Sequence, residues 1–273
     1  MSEKITRRDV IRVGSVVFVS GALGALQTLL TGCGSKGSSG GSSGSGSGSC
    51  VASTNLTRGP YFVDNQSDPN ISNDAVDTSI PERSDIRSDT KGGTGRQSGL
   101  PLNLNITVGS YSSGTCSPLA NAQVHIWHCN AQGIYSDVQA GSNGGGGDYT
   151  GENFLRGYQY TDSTGQVSFT TVYPGWYSGR AVHIHLKVRV FDGSGNVTTE
   201  ATTQLFFDDS ITDAVYTANS DYSRTGSRDV RNSSDSIYDA ENPALLLSLS
   251  GSPTTSYTGS ISIGVNVGSL YGG

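Results

Sequence analysis

Apolar and polar residues alternate with period two along several short stretches of this chain. The clearest is His183-Ile184-His185-Leu186-Lys187-Val188-Arg189-Val190, which predicts a β-strand with Ile184, Leu186, Val188 and Val190 on one face. Similar runs predict strands over 104–111, 122–128, 166–172, 197–207 and 257–267. Turns follow from Ser117-Pro118 and from the Asp-, Gly- and Ser-rich stretches 162–165 and 192–196. Residues 51–101 carry hardly any periodic apolar pattern and read as an extended arm laid over the domain. Residues 141–151, with four consecutive glycines, read as a mobile surface loop. The stretch 211–240 is too polar to place and is taken as irregular, with short helical turns. Many short strands and no strong helical period predict an all-β fold, an antiparallel β-sandwich with long irregular loops.

Composition agrees: 38 glycines and 13 tyrosines among 273 residues suit a turn-rich β-protein. The first 33 residues tell a separate story. Thr6-Arg7-Arg8-Asp9-Val10-Ile11 precedes an apolar stretch over 13–30, a signal peptide whose paired arginines resemble a twin-arginine export signal. Leu30-Thr31-Gly32-Cys33 resembles a bacterial lipobox, with Cys33 the lipidated mature N-terminus. A transmembrane anchor is the competing reading of the apolar run. The Gly/Ser tract to residue 49 is a flexible linker, so 50–273 is the expected folded domain, exported and lipid-anchored to the bacterial cell envelope or surface. In this reading the membrane is met only through the lipid on Cys33.

Removing residues 1–32 changes the formal charge from −6 to −8, leaving 13 basic and 21 acidic residues. That sign repels phosphate backbones and argues against nucleic acid as a partner. Export also places Cys50, Cys116 and Cys129 in an oxidising compartment, where they can form one disulfide. A strand running away from Cys116 makes Cys116–Cys129 awkward, so Cys50 is expected to pair with one of the two.

Candidate chemistry concentrates in 174–185, where a phenol, a guanidinium and two imidazoles fall within twelve residues. Residues two apart on a strand share a face, so His183 and His185 can reach one ion, and Pro174-Gly175 turns the chain to bring Tyr177 near. The pair can equally lie on a wet face with Lys187 and Arg189.

Longer stretches separate these readings. Residues 118–135 (Pro-Leu-Ala-Asn-Ala-Gln-Val-His-Ile-Trp-His-Cys-Asn-Ala-Gln-Gly-Ile-Tyr) and 154–162 (Phe-Leu-Arg-Gly-Tyr-Gln-Tyr-Thr-Asp), with Gly59-Pro60-Tyr61 and Thr203-Gln204-Leu205-Phe206-Phe207, resemble the intradiol ring-cleavage dioxygenases. The resemblance runs from about Arg58 to Asp208 and is strongest to protocatechuate 3,4-dioxygenase-like exported forms. It implies the intradiol type of β-sandwich and a non-haem Fe(III) cofactor. Tyr135 and His185 take the equatorial and Tyr177 and His183 the axial ligand positions. It further implies intradiol cleavage of a catechol-type aromatic diol with O2 to a cis,cis-muconate-type diacid. Tyr177 acts as a base, Arg180 stabilises charge developing on the ring, and Gln204 positions the arginine or the substrate. Ferric iron prefers anionic oxygen and deprotonates a nearby phenol, which suits two tyrosines. Arg156 and Gln159 are expected to shape or brace the pocket, and His125 and His128 to be structural. The chain departs from the familiar enzymes in a short 177–183 segment and the glycine-rich loop, which leaves the ring substituents open. The competing functions are a non-catalytic cell-surface β-sandwich binding module and a sandwich holding zinc or copper without dioxygenase turnover.

Overall fold

The computed structural model describes residues 48–49, 51–63, 80–141, 147–224, 226–238 and 245–270. The expected export signal over 1–33 with Cys33, residues 34–47 of the expected linker, Cys50 and residues 142–146 of the glycine-rich stretch lie outside them. Strands are numbered in chain order. The larger sheet contains β1 (Gly48–Ser49), β2 (Val51–Ala52), β3 (Pro101–Ser112), β4 (Thr115–Pro118), β7 (Gln166–Val172), β10 (Ser248–Ser252) and β11 (Ser256–Val265). The smaller runs in the order β6 (Arg156–Tyr160), β5 (Gln123–Trp127), β8 (His183–Phe191), β9 (Val197–Phe206). This is the expected all-β sandwich.

Period-two patterning places the core between the sheets. Leu102, Leu104, Ile106 and Val108 of β3 point inward with Phe169, Ile261 and Ile263, and meet Val124, Ile126, Ile184, Leu186, Val188 and Leu205 of the smaller sheet. Two pairings depart from the antiparallel expectation: β11 runs parallel to the short β2 and, over a longer stretch, to β3, from Tyr257 opposite Leu102 to Val265 opposite Ser110. The smaller sheet lies between them in sequence, so no hairpin dictates their direction.

Two further differences concern the site. Residues 211–240, read as irregular with short helical turns, do contain such turns at 220–222 and 232–234, yet a full helix, α1 (Asp209–Ala218), occupies their start. Asp208 caps it by accepting from the Ser210 and Ile211 amides, and Thr212 and Val215 are its buried face. Its single apolar stripe is short and sits among Asp, Thr and Ala, which hid the period. More consequential is the odd-numbered face of β8, because His183, His185, Lys187 and Arg189 are all buried. The arm covers them. Leu56 N donates to Thr202 O at 2.8 Å, Gln204 Nε2 donates to Thr57 O at 2.8 Å, and the Phe62 ring sits 4.9 Å from Trp127 and 4.3 Å from the Lys187 ammonium. Glu200 compensates the buried cations, accepting from Lys187 Nζ and Arg189 Nε, each at 2.7 Å. The wet-face reading of this strand is therefore wrong: long-range cover, invisible to periodicity, closes the polar face.

Cys116 is disulfide-bonded and Cys129 is a free, buried thiol. The expected partner, Cys50, is outside the described residues.

Candidate metal centre

Two loops and one strand end build the centre. Tyr135 follows β5 on a turn held by the Asn130 side chain, whose Oδ1 accepts from the Gln132 and Ile134 amides at 3.0 and 3.1 Å. Tyr177 stands on the 174–182 loop leading into β8. The loops are locked together, since Gly175 N donates to Asn130 O at 3.0 Å and Gly133 lies flat on the Trp176 carbonyl. A Cβ at Gly133, whose φ is +77°, would fall 2.0 Å from that oxygen, so only glycine fits. On the opposite side the arm brings Gly59 (φ +71°) against His185, where a Cβ would meet Cε1 at 3.0 Å.

The predicted ligands converge. His183 Nδ1 lies 2.7 Å from Ala181 O, and because a carbonyl only accepts, this nitrogen carries the proton and Nε2 is a bare lone pair. That lone pair is 3.0 Å from His185 Nε2 and 3.2 Å from the Tyr177 hydroxyl. Tyr135, fully buried, sets its ring 5.7 Å from that of Tyr177 and 6.2 Å from that of His185. Trp127 stacks on His185 at 4.8 Å with planes 4° apart and fixes the ring. Burial pushes both phenols up and both imidazoles down, His183 to about 3. Without an ion, all four groups are neutral, and the His183 lone pair accepts from the neighbouring donors.

Such a cluster suits a cation. Two nitrogens each about 2.1 Å from a common ion at a right angle are about 3.0 Å apart, which matches the imidazole spacing. Among the described residues no group of three or more His, Cys, Asp or Glu side chains is placed to hold a metal. An ion here must therefore take phenolate oxygen as well as imidazole nitrogen, a donor set that favours a hard, highly charged metal.

Arg180 and Gln204 join the same wall. Arg180 Nη2 donates to Gln204 Oε1 at 2.6 Å, and its Nε donates to Asp235 Oδ2 at 2.9 Å. Asp235 was not singled out in the sequence, where it is one of many Asp and Ser residues in a stretch without period. Arg156 is buried behind Tyr135 and donates to Ser136 Oγ, Ser136 O and Tyr61 O, so it braces. Gln159 lies away from the centre and tethers β6 to β7 through Ser168 O at 2.6 Å. His128 is structural, bonded to Thr171 Oγ1 at 2.7 Å and Cys129 O at 2.8 Å.

Comparison with known proteins bears on what this arrangement belongs to. A family model described as Dioxygenase matches residues 89–236, more than half of the chain. An intradiol ring-cleavage dioxygenase from Tetranychus urticae is 27% identical, with a TM-score of 0.61 over 80% of this chain and 95% of that one. The dioxygenase domain of a dioxygenase carbohydrate-binding protein fusion from the cellulolytic bacterium Streptomyces sp. SirexAA-E shares the fold, at 23% identity and a TM-score of 0.50 over 80% of this chain and 99% of that one. A search of curated protein sequences gave no match. The matched span contains both tyrosines, both histidines, Arg180, Gln204 and Asp235, and with the structural likeness it shows that the chain belongs to the intradiol ring-cleavage dioxygenase family.

Proposed function

We propose that this protein is an Fe(III)-dependent oxidoreductase that cleaves a catechol-type aromatic diol between its hydroxyl-bearing carbons, placing both atoms of O2 in a cis,cis-muconate-type diacid. The family supports catechol-type ring cleavage in general and is non-haem iron dependent. The observation that carries the finer reading is the approach of the His185 nitrogen and the Tyr177 hydroxyl to within 3.0 and 3.2 Å of His183 Nε2, beside the buried Tyr135 ring.

Tyr135, Tyr177, His183 and His185 would hold the iron. Bound ferric iron supplies Lewis acidity toward phenolic oxygen and the electron acceptance that lets a catechol react with O2. The chain's own groups do the rest. Tyr177 is the less buried phenol and stands on a loop, so it would be the group able to move aside for a substrate oxygen and receive its proton. Tyr135 is walled in by Tyr61, with ring centroids 4.6 Å apart, and stays. Arg180 presents a fixed cation toward the bound ring, where negative charge develops as the second hydroxyl ionises, and Gln204 holds that cation from the arm side. The covering arm excludes water, which strengthens each of these interactions.

The same proposal places the enzyme outside the cytoplasm on a lipid at Cys33. Arg7-Arg8, the apolar stretch and Leu30-Thr31-Gly32-Cys33 support this, as does the oxidised state of Cys116.

Oxygen uptake measured against catechol, protocatechuate and hydroxyquinol, with metal analysis of the same sample, tests the function. A coloured iron protein consuming one O2 per diol is expected. Colourless, iron-free protein inert to every diol leaves a binding module, and native zinc or copper without uptake leaves a non-catalytic metal sandwich.

A further inference from the structure

The 174–182 loop, which carries Tyr177 and Arg180, is gripped from outside by one irregular segment that follows α1. Arg224 Nη1 donates to Trp176 O, and its guanidinium lies 4.4 Å from the centroid of the Trp176 ring. Asp229 accepts from Ser178 Oγ at 2.6 Å and from the Gly179 amide. Asp235 accepts from the Ala181 amide at 2.6 Å and from Arg180 Nε at 2.9 Å. Contacts thus advance in step along both segments, 176 with 224, 178–179 with 229, 180–181 with 235. The last differs from the others in kind, because it reaches a side chain that faces the centre.

The Asp235 side chain is wholly inaccessible, and five N–H groups point at its two oxygens, the fifth being Arg180 Nη2 at 3.5 Å from Oδ1. Oδ2 takes Ala181 N and Arg180 Nε, while Oδ1 takes Ile237 N at 2.7 Å and Tyr238 N at 3.0 Å. A buried carboxylate saturated in this way cannot turn. It holds Arg180 along the Nε edge, with Nη2 also 3.5 Å from Oδ1, while Gln204 takes Nη2 at 2.6 Å. Two fixed contacts define the plane of a rigid guanidinium and leave Nη1 without a protein hydrogen bond among the described residues. Asp235 also supplies the charge that lets this cation stay partly buried when no anionic substrate is present.

We infer that Asp235 is a positioning residue for the ring-cleavage reaction, holding the Arg180 guanidinium in the orientation that meets the ionised diol. This rests on the proposed reading of the centre. A positioning role through Arg180 makes a specific demand: removing Asp235 matters only while Arg180 is there to be positioned.

The test has two arms on the full chain. In the first, Asp235→Asn, Arg180→Ala and the double variant are compared with the unsubstituted enzyme by oxygen uptake. Asp235→Asn is expected to lower kcat about 10- to 100-fold, the usual cost of losing a supporting partner, with a smaller change in KM. It should cost nothing further in the Arg180→Ala background. Independent, multiplying losses would overturn the inference, because they mean that Asp235 acts by another route.

The second arm needs neither iron nor turnover. In metal-free, unsubstituted protein the Arg180 Nε–H, assigned by its disappearance in Arg180→Ala, should give a slowly exchanging NMR signal that moves or broadens in Asp235→Asn. Rapid exchange of that proton with solvent in the unsubstituted chain would sink the inference even if Asp235→Asn proved insoluble. Absence of oxygen uptake by the unsubstituted enzyme removes the ring-cleavage reading and the role assigned to Asp235 in it, whereas the signal reports separately on whether the grip exists.

Discussion

The two sheets obey the same alternation and put it to opposite uses. On the larger sheet the outward residues of β3, β7 and β11 are Asn103, Asn105, Ser168, Ser260 and their like, uncharged and open to water. On the smaller sheet the outward residues of β5 and β8 are His125, Trp127, His183, His185, Lys187 and Arg189, all buried under the arm. One face needs only solvent. The other carries titratable groups that water no longer reaches, so each must find a partner, remain neutral or take an ion. Chemistry lives on a face that is polar by pattern and dry by cover, because low polarity strengthens electrostatic interactions and displaces ordinary pKa values.

The sharpest break comes from removing a proposed ligand on the covered face. His185→Ala is expected to lose bound iron and to lower oxygen uptake by more than the roughly 100-fold that loss of a supporting partner costs. Metal analysis beside the uptake measurement checks both.

Acid is the next largest effect, because all four histidines of the chain lie in or beside the smaller sheet and burial pushes all of them down. Their folded values lie below the unfolded value of about 6.5, so the unfolded chain binds more protons in between. The stability they contribute is complete above about pH 6.5 and is lost as pH falls toward the folded values, near 4 for His128 and 3 for His183. Each histidine costs up to about 1.4 kcal/mol per pH unit in that window, so metal-free protein should lose several kcal/mol between pH 7 and 5.5 in urea unfolding. A flat profile would mean that the face is wet after all.

Cover itself is tested by Phe62→Ala, which truncates the ring packed on Trp127 and Lys187. A loss of about 3–5 kcal/mol in the same unfolding measurement is expected. At the other extreme, Ser260→Ala on the open sheet should stay within about 0.5 kcal/mol. Comparable losses at the two positions would erase the distinction between the faces.

Much of this was legible from residues alone. Strand 166–172 follows from alternation and flanking turns, and the family resemblance selects Tyr135, Tyr177, His183 and His185. What stayed hidden has physical reasons. β6 reads Arg-Gly-Tyr-Gln-Tyr, without apolar alternation, because it is an edge strand whose Tyr158 and Tyr160 are not buried. β10 is likewise an edge strand, made of Ser, Leu and Gly, with a weak strand signature. Asp235 is not legible because its value comes from Arg180 and Ala181, more than fifty residues away, and its own neighbours carry no period.

Sequence by itself determined the sandwich, the inward apolar faces and the residue types at the centre, because period-two patterning and donor chemistry are local properties of the chain. Tertiary structure alone decided that the histidine face is dry, that loops 130–135 and 174–182 meet through glycines, and that Asp235 grips Arg180. These depend on segments far apart in sequence coming to share one small volume. There burial and partner geometry, absent from any single stretch, set the charge state of each group.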